Sequence, residues 1–240
     1  DDEEPAIAHR IELSSESLDL AVDVDENGSI SIAMIAGGGT SLRARHHVPA
    51  LELQSVEAPH QIPVLTLAGS TGAARLRYQE HATGVDGETH WLAVTAEAVG
   101  RIRARWLLRT RAGSAALTST VEVTNIGGDE LSLGALPSLS LPVTGAAEGV
   151  TVAPEDLDLI NGASDWCGEN RWQRHPVRGY LPALSSIAHR VSAKSAYSAR
   201  VLGSWSTSGA LPCGVLAARD DSFALAWQLE HNGPWRWDLA

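Results

Sequence analysis

The sequence predicts an all-β fold, a two-layer antiparallel sandwich with little helix. Three observations carry the prediction. Apolar and polar residues alternate with a period of two over many short runs. Turn-forming Gly, Pro, Asn and Asp residues separate those runs. No long run keeps an apolar stripe at helical spacing.

The first hairpin is the clearest. Leu18, Leu20, Val22 and Val24 alternate with Asp19, Ala21 and Asp23, and Ile30, Ile32 and Met34 resume the pattern against Ser29, Ser31 and Ala33. Between them, Asp25-Glu26-Asn27-Gly28 supplies turn chemistry, with Asn-Gly suited to positive φ. One buried and one wet face is the expectation for this pair. Ile102, Ala104, Trp106 and Leu108 alternate with Arg101, Arg103, Arg105 and Leu107, predicting a second strand region. Leu117, Val121 and Val123 alternate with Thr118, Thr120, Glu122 and Thr124, and the Asn125–Asp129 turn leads into Leu131, Leu133 and Ala135. Phe223, Leu225, Trp227 and Leu229 form a late strand, with Trp227 on its core face. Trp235, Trp237 and Leu239 form the last. Further strands are predicted at Ala50–Val56, Ala74–His81, Trp91–Ala98 and Ile187–Ala193. Gly37-Gly38-Gly39 reads as a flexible spot and not a phosphate loop, because no Lys-Ser/Thr and no helix follows.

Residues 136–180 differ. Pro137, Pro142, Pro154 and Pro176 break the segment and alternation fades, so a long irregular loop is expected there. The closing alternation runs up to Ala240; a natural chain can end this way, and a fragment cut from a longer protein explains it at least as well.

Composition bounds the function. At 240 residues with 44% hydrophobic content, residues 1–240 are read as one globular sandwich domain that needs no disulfide or metal staple. A net charge of −11 argues against nucleic-acid binding, which needs concentrated Lys and Arg. No run approaches the ~20 apolar residues that span a bilayer, so no membrane partner is expected. No basic, apolar leader opens the chain, and Asp1-Asp2-Glu3-Glu4 reads as a solvated start, so a cytoplasmic setting is expected. Cys167 and Cys213 are read as free, buried thiols.

The richest cluster of functional side chains is residues 161–176, with Trp166, Trp172, Arg171, Arg174, Asn161, Asn170, Asp165 and Glu169. Indole faces stack on sugar C–H faces, and planar polar side chains bind vicinal hydroxyls. Aromatic and Arg side chains also anchor interfaces. The competing structural reading packs Trp166 and Trp172 onto the sheet and pairs the arginines with Asp165 and Glu169. A second cluster surrounds Trp205 within residues 203–209. No catalytic residue is assigned. Asp165 and Glu169 are the one carboxylate pair in a rich segment, and four-residue spacing in irregular chain does not set the 5–5.5 Å a retaining glycosidase needs. No metal site is expected, since adjacent His46 and His47 would point to opposite faces of a strand and no Cys-x-x-Cys or His-Glu-x-x-His occurs. No cofactor is expected.

These segments resemble, in order, the N-terminal domain of family-36 glycoside hydrolases, the bacterial α-galactosidase type. The resemblance runs through Ala74-Arg75-Leu76-Arg77-Tyr78, Val121-Glu122-Val123-Thr124-Asn125, Trp166 with residues 168–174, Gly203-Ser204-Trp205-Ser206-Thr207 and residues 226–233. The Arg171-Trp172 segment and the closing tryptophan run are its specific parts. It implies a β-supersandwich of the galactose-mutarotase kind, followed in the parent by a (β/α)₈ barrel that holds the catalytic aspartates. It implies retaining hydrolysis of terminal α-galactosides by the parent and no activity in this segment alone. The partners implied are the chain's own C-terminal catalytic barrel, α-galactoside sugars and further copies in a homo-oligomer. In relatives, a neighbouring subunit's Asp and Arg reach the active site; the matching segment here, residues 68–75, has Arg75 and lacks the Asp. Substrate-binding residues expected on this basis are Arg171, Trp172, Arg174, Trp205 and Arg75. Two other classes compete: a lectin-like module stacking sugar on Trp172 and Trp205, and a mutarotase-type epimerase drawing its acid and base from His81, His90 and Glu230.

Overall fold

The computed structural model describes residues 6–44, 47–55, 73–98, 101–131, 133–135, 138–141, 146–147, 150–151, 156–165, 168–177, 197–201, 209–230 and 235–239. These residues are almost entirely antiparallel β-structure. The chain divides into two compact units, Asp1–Gly149 and Val150–Ala240.

The first unit contains β1 (Ile7–Ser14), β2 (Leu18–Asp25), β3 (Ile30–Gly37), β4 (Thr40–Arg43), β5 (Glu52–Ser55), β6 (Ala73–Arg75), β7 (Arg77–Asp86), β8 (Thr89–Ala98), β9 (Ile102–Arg111), β10 (Leu117–Asn125), β11 (Leu133–Ala135) and β12 (Ala146–Ala147). One sheet runs β1-β2-β3-β4, a second β10-β9-β8-β7, and a third, smaller one β11-β5-β6. The two four-stranded sheets are the layers of a sandwich. Ile11, Leu20, Val22 and Ile32 of the first pack in one core with Leu92, Val94, Trp106 and Leu108 of the second, and Leu53 of β5 joins them. The period-two pattern causes this arrangement, because alternate side chains of a strand share a face. On β9 it is plain: Ile102, Ala104, Trp106 and Leu108 are buried while Arg103, Arg105 and Arg109 are exposed. The turn after β2 has Gly28 at φ 76°, where a Cβ would be strained. Gly38 and Gly39, at φ 59° and 81°, turn β3 into β4.

The β2–β3 hairpin departs from the expectation of one wet face. Ala21, Asp23 and Asp25 are buried alongside the predicted core residues. Two carboxylates are tolerated there because each has specific partners. Arg10, directly opposite on β1, grips Asp23 with Nε–Oδ1 at 2.7 Å and Nη2–Oδ2 at 2.9 Å. Asp25 Oδ1 accepts the backbone N–H groups of Asn27 and Ser29, both at 2.8 Å, tying the turn closed. His47 completes the network. Its Nε2 lies 3.6 Å from Asp25 Oδ2 and 3.0 Å from Ser29 Oγ, and its Nδ1 lies 2.9 Å from Ser31 Oγ. His47 thus fastens the chain leading to Pro49, which bridges Ser31. His46, read with it at the sequence level, lies outside the described residues.

The second unit contains β13 (Val150–Thr151), β14 (Leu157–Asp165), β15 (Gly168–Pro176), β16 (Tyr197–Val201), β17 (Gly209–Ala218), β18 (Ala224–Gln228) and β19 (Trp235–Leu239). Its main sheet runs β15-β14-β17-β18, and β16 pairs with β19. Among its described residues, Leu157, Leu159, Val177, Leu216, Ala217, Ala218 and Phe223 are the buried apolar ones. The expectation of an irregular loop over residues 161–176 is corrected here: β14 and β15 form an antiparallel hairpin, in register from Asp158 opposite Pro176 to Ala163 opposite Arg171. Alternation was invisible because β15, GENRWQRHP, is polar on both faces. It is held by backbone pairing and not by burial of one face. The predicted strand at Ile187–Ala193 lies outside the described residues.

Candidate functional site

The register of the second unit's main sheet sorts its side chains onto two faces, because directly opposed residues of an antiparallel pair share a face. Trp172 opposes Gly162, and Arg174 opposes Ile160. Alternation therefore puts Trp172 and Arg174 on one face, and Arg171, Gln173 and His175 on the other. Three of the residues expected to bind substrate thus lie on one strand, and Arg171 is separated from the other two. Arg75 ends β6 in the first unit, opposite Glu52, with its side chain outside the described residues. Trp205, Trp166 and Cys167 lie outside them as well.

On the first face, Trp172 is 50% exposed. Gly162, opposite it, lies beneath Leu211: a Cβ there would strike Leu211 Cδ1, while indole Cε2 at 3.4 Å would stay in ordinary contact. Arg174 belongs to an ion-pair network. Its Nε donates to Asp158 Oδ2 at 2.7 Å, its Nη2 reaches the Ala218 carbonyl at 3.3 Å, and Asp221 Oδ1 is 3.6 Å away. Arg219 Nη2 adds a contact to Asp158 Oδ1 at 3.4 Å. The partners are Asp158 and Asp221, rather than the Asp165 and Glu169 of the structural reading above. The Arg174 hydrogen bond, helped by the charges of Arg174 and Arg219, outweighs burial and holds the Asp158 carboxyl below the usual carboxylate range.

That shift has a signed consequence. A carboxyl whose pKa is lowered by folding adds stability above its unfolded value, about 3.9, and loses it as pH falls through the folded value. Asp158→Asn is therefore expected to lower the melting temperature at pH 7. The gap between variant and native protein should close as pH drops below ~4. Thermal melts across that range are the check, and a gap independent of pH would contradict the assignment.

On the second face, residues align across the four strands. Gln173 opposes Asn161, Asn161 opposes Gly214, and Gly214 opposes Trp227. The Trp227 indole fills the space over Gly214, where a Cβ would meet Cζ2 and lie 2.9 Å from Cη2 and 3.0 Å from Cε2. The neighbouring row is His175, Leu159, Leu216 and Leu225. His175 Nε2 donates to Gln173 Oε1 at 2.9 Å. Asn161 and Gln173 belonged to the rich segment read from sequence, but their alignment with Trp227 depends on pairing partners 53 and more residues away in β17 and β18. Trp227, expected in the core, is half-buried.

Cys213 is a free thiol, and burial pushes its pKa up. No group of three or more His, Cys, Asp or Glu that could hold a metal occurs among the described residues. No helix among them is long and apolar enough to cross a membrane. For the epimerase reading, His81 Nδ1 is engaged by the Tyr78 hydroxyl at 2.7 Å, and His90 opposes Val85 and Thr110.

No family model matches the chain, and no curated protein matches it. Solved structures do. The α-galactosidase from Lactobacillus brevis aligns with a TM-score of 0.63 at 16% identity, over 95% of this chain and 34% of its own. The galactosidase domain of an α-galactosidase–sucrose kinase aligns with a TM-score of 0.60 at 11% identity, over 97% of this chain and 36% of its own. A variant family-36 α-galactosidase from Geobacillus stearothermophilus, in complex with 1-deoxygalactonojirimycin, gives 0.53 at 14% identity, over 88% and 32%. The chain has the fold of a part of these α-galactosidases. It spans about a third of the length of each.

Proposed function

We infer that the chain is the N-terminal, non-catalytic sandwich domain of an α-galactosidase-type retaining glycoside hydrolase. In this reading residues 1–240 act as one domain that packs on the parent's catalytic barrel and helps shape its sugar pocket. The observation that carries it is the extent of the structural match: nearly the whole chain aligns, to only a third of each enzyme. The use of the buried carboxylates supports the non-catalytic part. Asp23, Asp25 and Asp158 are each engaged by an arginine, a histidine or turn amides in structural contacts. Half-exposed Trp172 with Arg174 is the sugar- or barrel-facing patch of the parent. Association into a homo-oligomer and a cytoplasmic setting complete the proposal.

The test is hydrolysis of nitrophenyl α-galactoside by the chain alone and by the full-length protein encoded with it. No turnover by the chain and turnover by the longer protein are expected, with Trp172→Ala raising KM in the latter. Turnover by the chain alone would overturn the reading. A lectin-like module is the second reading, favoured by the exposure of Trp172. It predicts a longer protein that cleaves no galactoside and a chain that binds one through that indole.

A further inference from the structure

From the first unit's β10-β9-β8-β7 sheet we propose a binding site for a carboxylate-bearing pyranose on its outer face, formed by Trp91, Arg109 and Thr118. Register sets the face. Leu92, Val94, Trp106 and Leu108 point into the core, so alternation turns Trp91 on β8 and Arg109 on β9 outward. Gly84, Trp91, Arg109 and Thr118 oppose one another in turn across β7, β8, β9 and β10 and form one row.

Three observations carry the site. The first is an indole laid on the sheet and open on its outer side. A Cβ at Gly84 would lie 2.5 Å from Trp91 Cζ2, 2.7 Å from Cε2 and 3.0 Å from Nε1, so the ring covers the glycine. Trp91 is half-buried, because one ring face rests on the sheet and the other meets solvent. Unlike the Trp227 N–H, the Trp91 N–H is not shielded from solvent, and it bonds to no group among the described residues.

The second is an unpaired cation. β9 turns four arginines to this face. Arg103 is held by Glu97 at 2.6 Å, Arg105 by Glu122 at 3.6 Å and Arg111 by Glu88 at 2.6 Å. Arg109 is exposed and has no carboxylate partner among the described residues. It stands one strand, ~4.8 Å, from Trp91. Thr118, exposed on its other side, adds a hydroxyl.

The third is the surround. The next row on this face is Ala82, Ala93, Leu107 and Thr120, which carry no charge. On the other side lie Thr89 and Arg111, and Asp86 is two strands, ~10 Å, from the Arg109 strand. A pyranose offers its apolar C–H face to the indole. A carboxylate on that ring matches Arg109, whose planar guanidinium pairs with carboxylates through two parallel hydrogen bonds. Ligand hydroxyls are left for Thr118 and the Trp91 N–H. The net charge of −11 disfavours a polyanion in its place.

The galacto configuration of the probe is taken from the proposed function, which galactoside hydrolysis by the longer protein tests separately. The test here is calorimetric titration of the whole chain with methyl α-galactopyranosiduronate. Saturable binding is expected. The neutral methyl α-galactopyranoside, which lacks the carboxylate, should bind at least about tenfold more weakly. Arg109→Gln, an exposed change whose melting curve should match the native one, should weaken binding of the acidic sugar by a like factor. Arg103→Gln, on the same face but paired with Glu97, should leave it unchanged. Tryptophan fluorescence should change on binding in the native chain and not in Trp91→Phe. Absence of saturable binding, equal affinity for the two sugars, full affinity in Arg109→Gln or an equal loss in Arg103→Gln overturns the site.

Discussion

Replacing Trp106 with alanine is expected to cost about 3–5 kcal/mol of folding stability, the range for truncating a buried large aromatic. Domains are stable by roughly 5–15 kcal/mol in all, so this one change should leave the first unit largely unfolded on modest heating. Trp106 is fully buried at the centre of the sandwich. It lies between Val94 on β8 and Val121 on β10, which oppose it directly. It is also a polar anchor. Its Nε1 donates to Ser119 Oγ at 2.8 Å, and the Ser119 hydroxyl donates in turn to the Ser138 carbonyl. The indole therefore joins β9 and β10 to the segment after β11. Trp106→Phe keeps most of the volume and loses the N–H, so it should cost about 0.5–1.5 kcal/mol, the worth of one neutral hydrogen bond. Urea unfolding of both variants separates cavity from hydrogen bond. Equal losses in the two would show that the indole N–H, not its bulk, dominates.

Gly214→Ala is the second large effect, expected at about 1–3 kcal/mol from overpacking. A Cβ at this position has no room, because the Trp227 ring occupies it and a flat, rigid ring cannot yield by bending. The ring must swing away or β18 must shift. Gly162→Ala makes the useful contrast. There the obstacle is Leu211 Cδ1, the tip of a flexible side chain that can change rotamer, so the loss should be smaller. At Gly128, where nothing lies within 4 Å of the added Cβ, alanine should be neutral. Thermal melts rank the three, and tryptophan fluorescence should move in Gly214→Ala. Equal costs at all three positions would remove the steric explanation. The same device occurs in the first unit, where Trp91 lies over Gly84 directly across β7 and β8. An indole laid over a cross-strand glycine replaces the side chain the glycine lacks.

The predicted strands at Trp91–Ala98, Ile102–Leu108 and Leu117–Thr124 are β8, β9 and β10, and the Asn27-Gly28 turn has its positive φ. These were legible because each strand buries one face, and one-sided burial writes a period of two into the chain. The family resemblance had the same origin in ordered local segments, and the structural matches share its fold. Other elements left no such mark. β1 carries few apolar residues on its exposed half, and β15 is polar on both sides. The candidate site was legible as a composition, since Trp172, Arg171, Arg174, Asn161 and Gln173 all fall in the segment singled out. Its division was not. Which face each side chain takes depends on a strand being there at all, and on its register.

By itself the sequence determined the all-β class, the main sandwich strands, their buried faces and the stretch where aromatic, amide and guanidinium groups concentrate. Those properties are local, set by side-chain alternation and turn chemistry along the chain. Only the tertiary structure decided that Asp23, Asp25 and Asp158 are buried, that Arg174 is an ion-pair residue, and that Trp227 lies over Gly214 in line with Asn161 and Gln173. A buried charge or a glycine beneath an indole is stable only through a partner brought from a distant segment, and that partnership has no local periodicity.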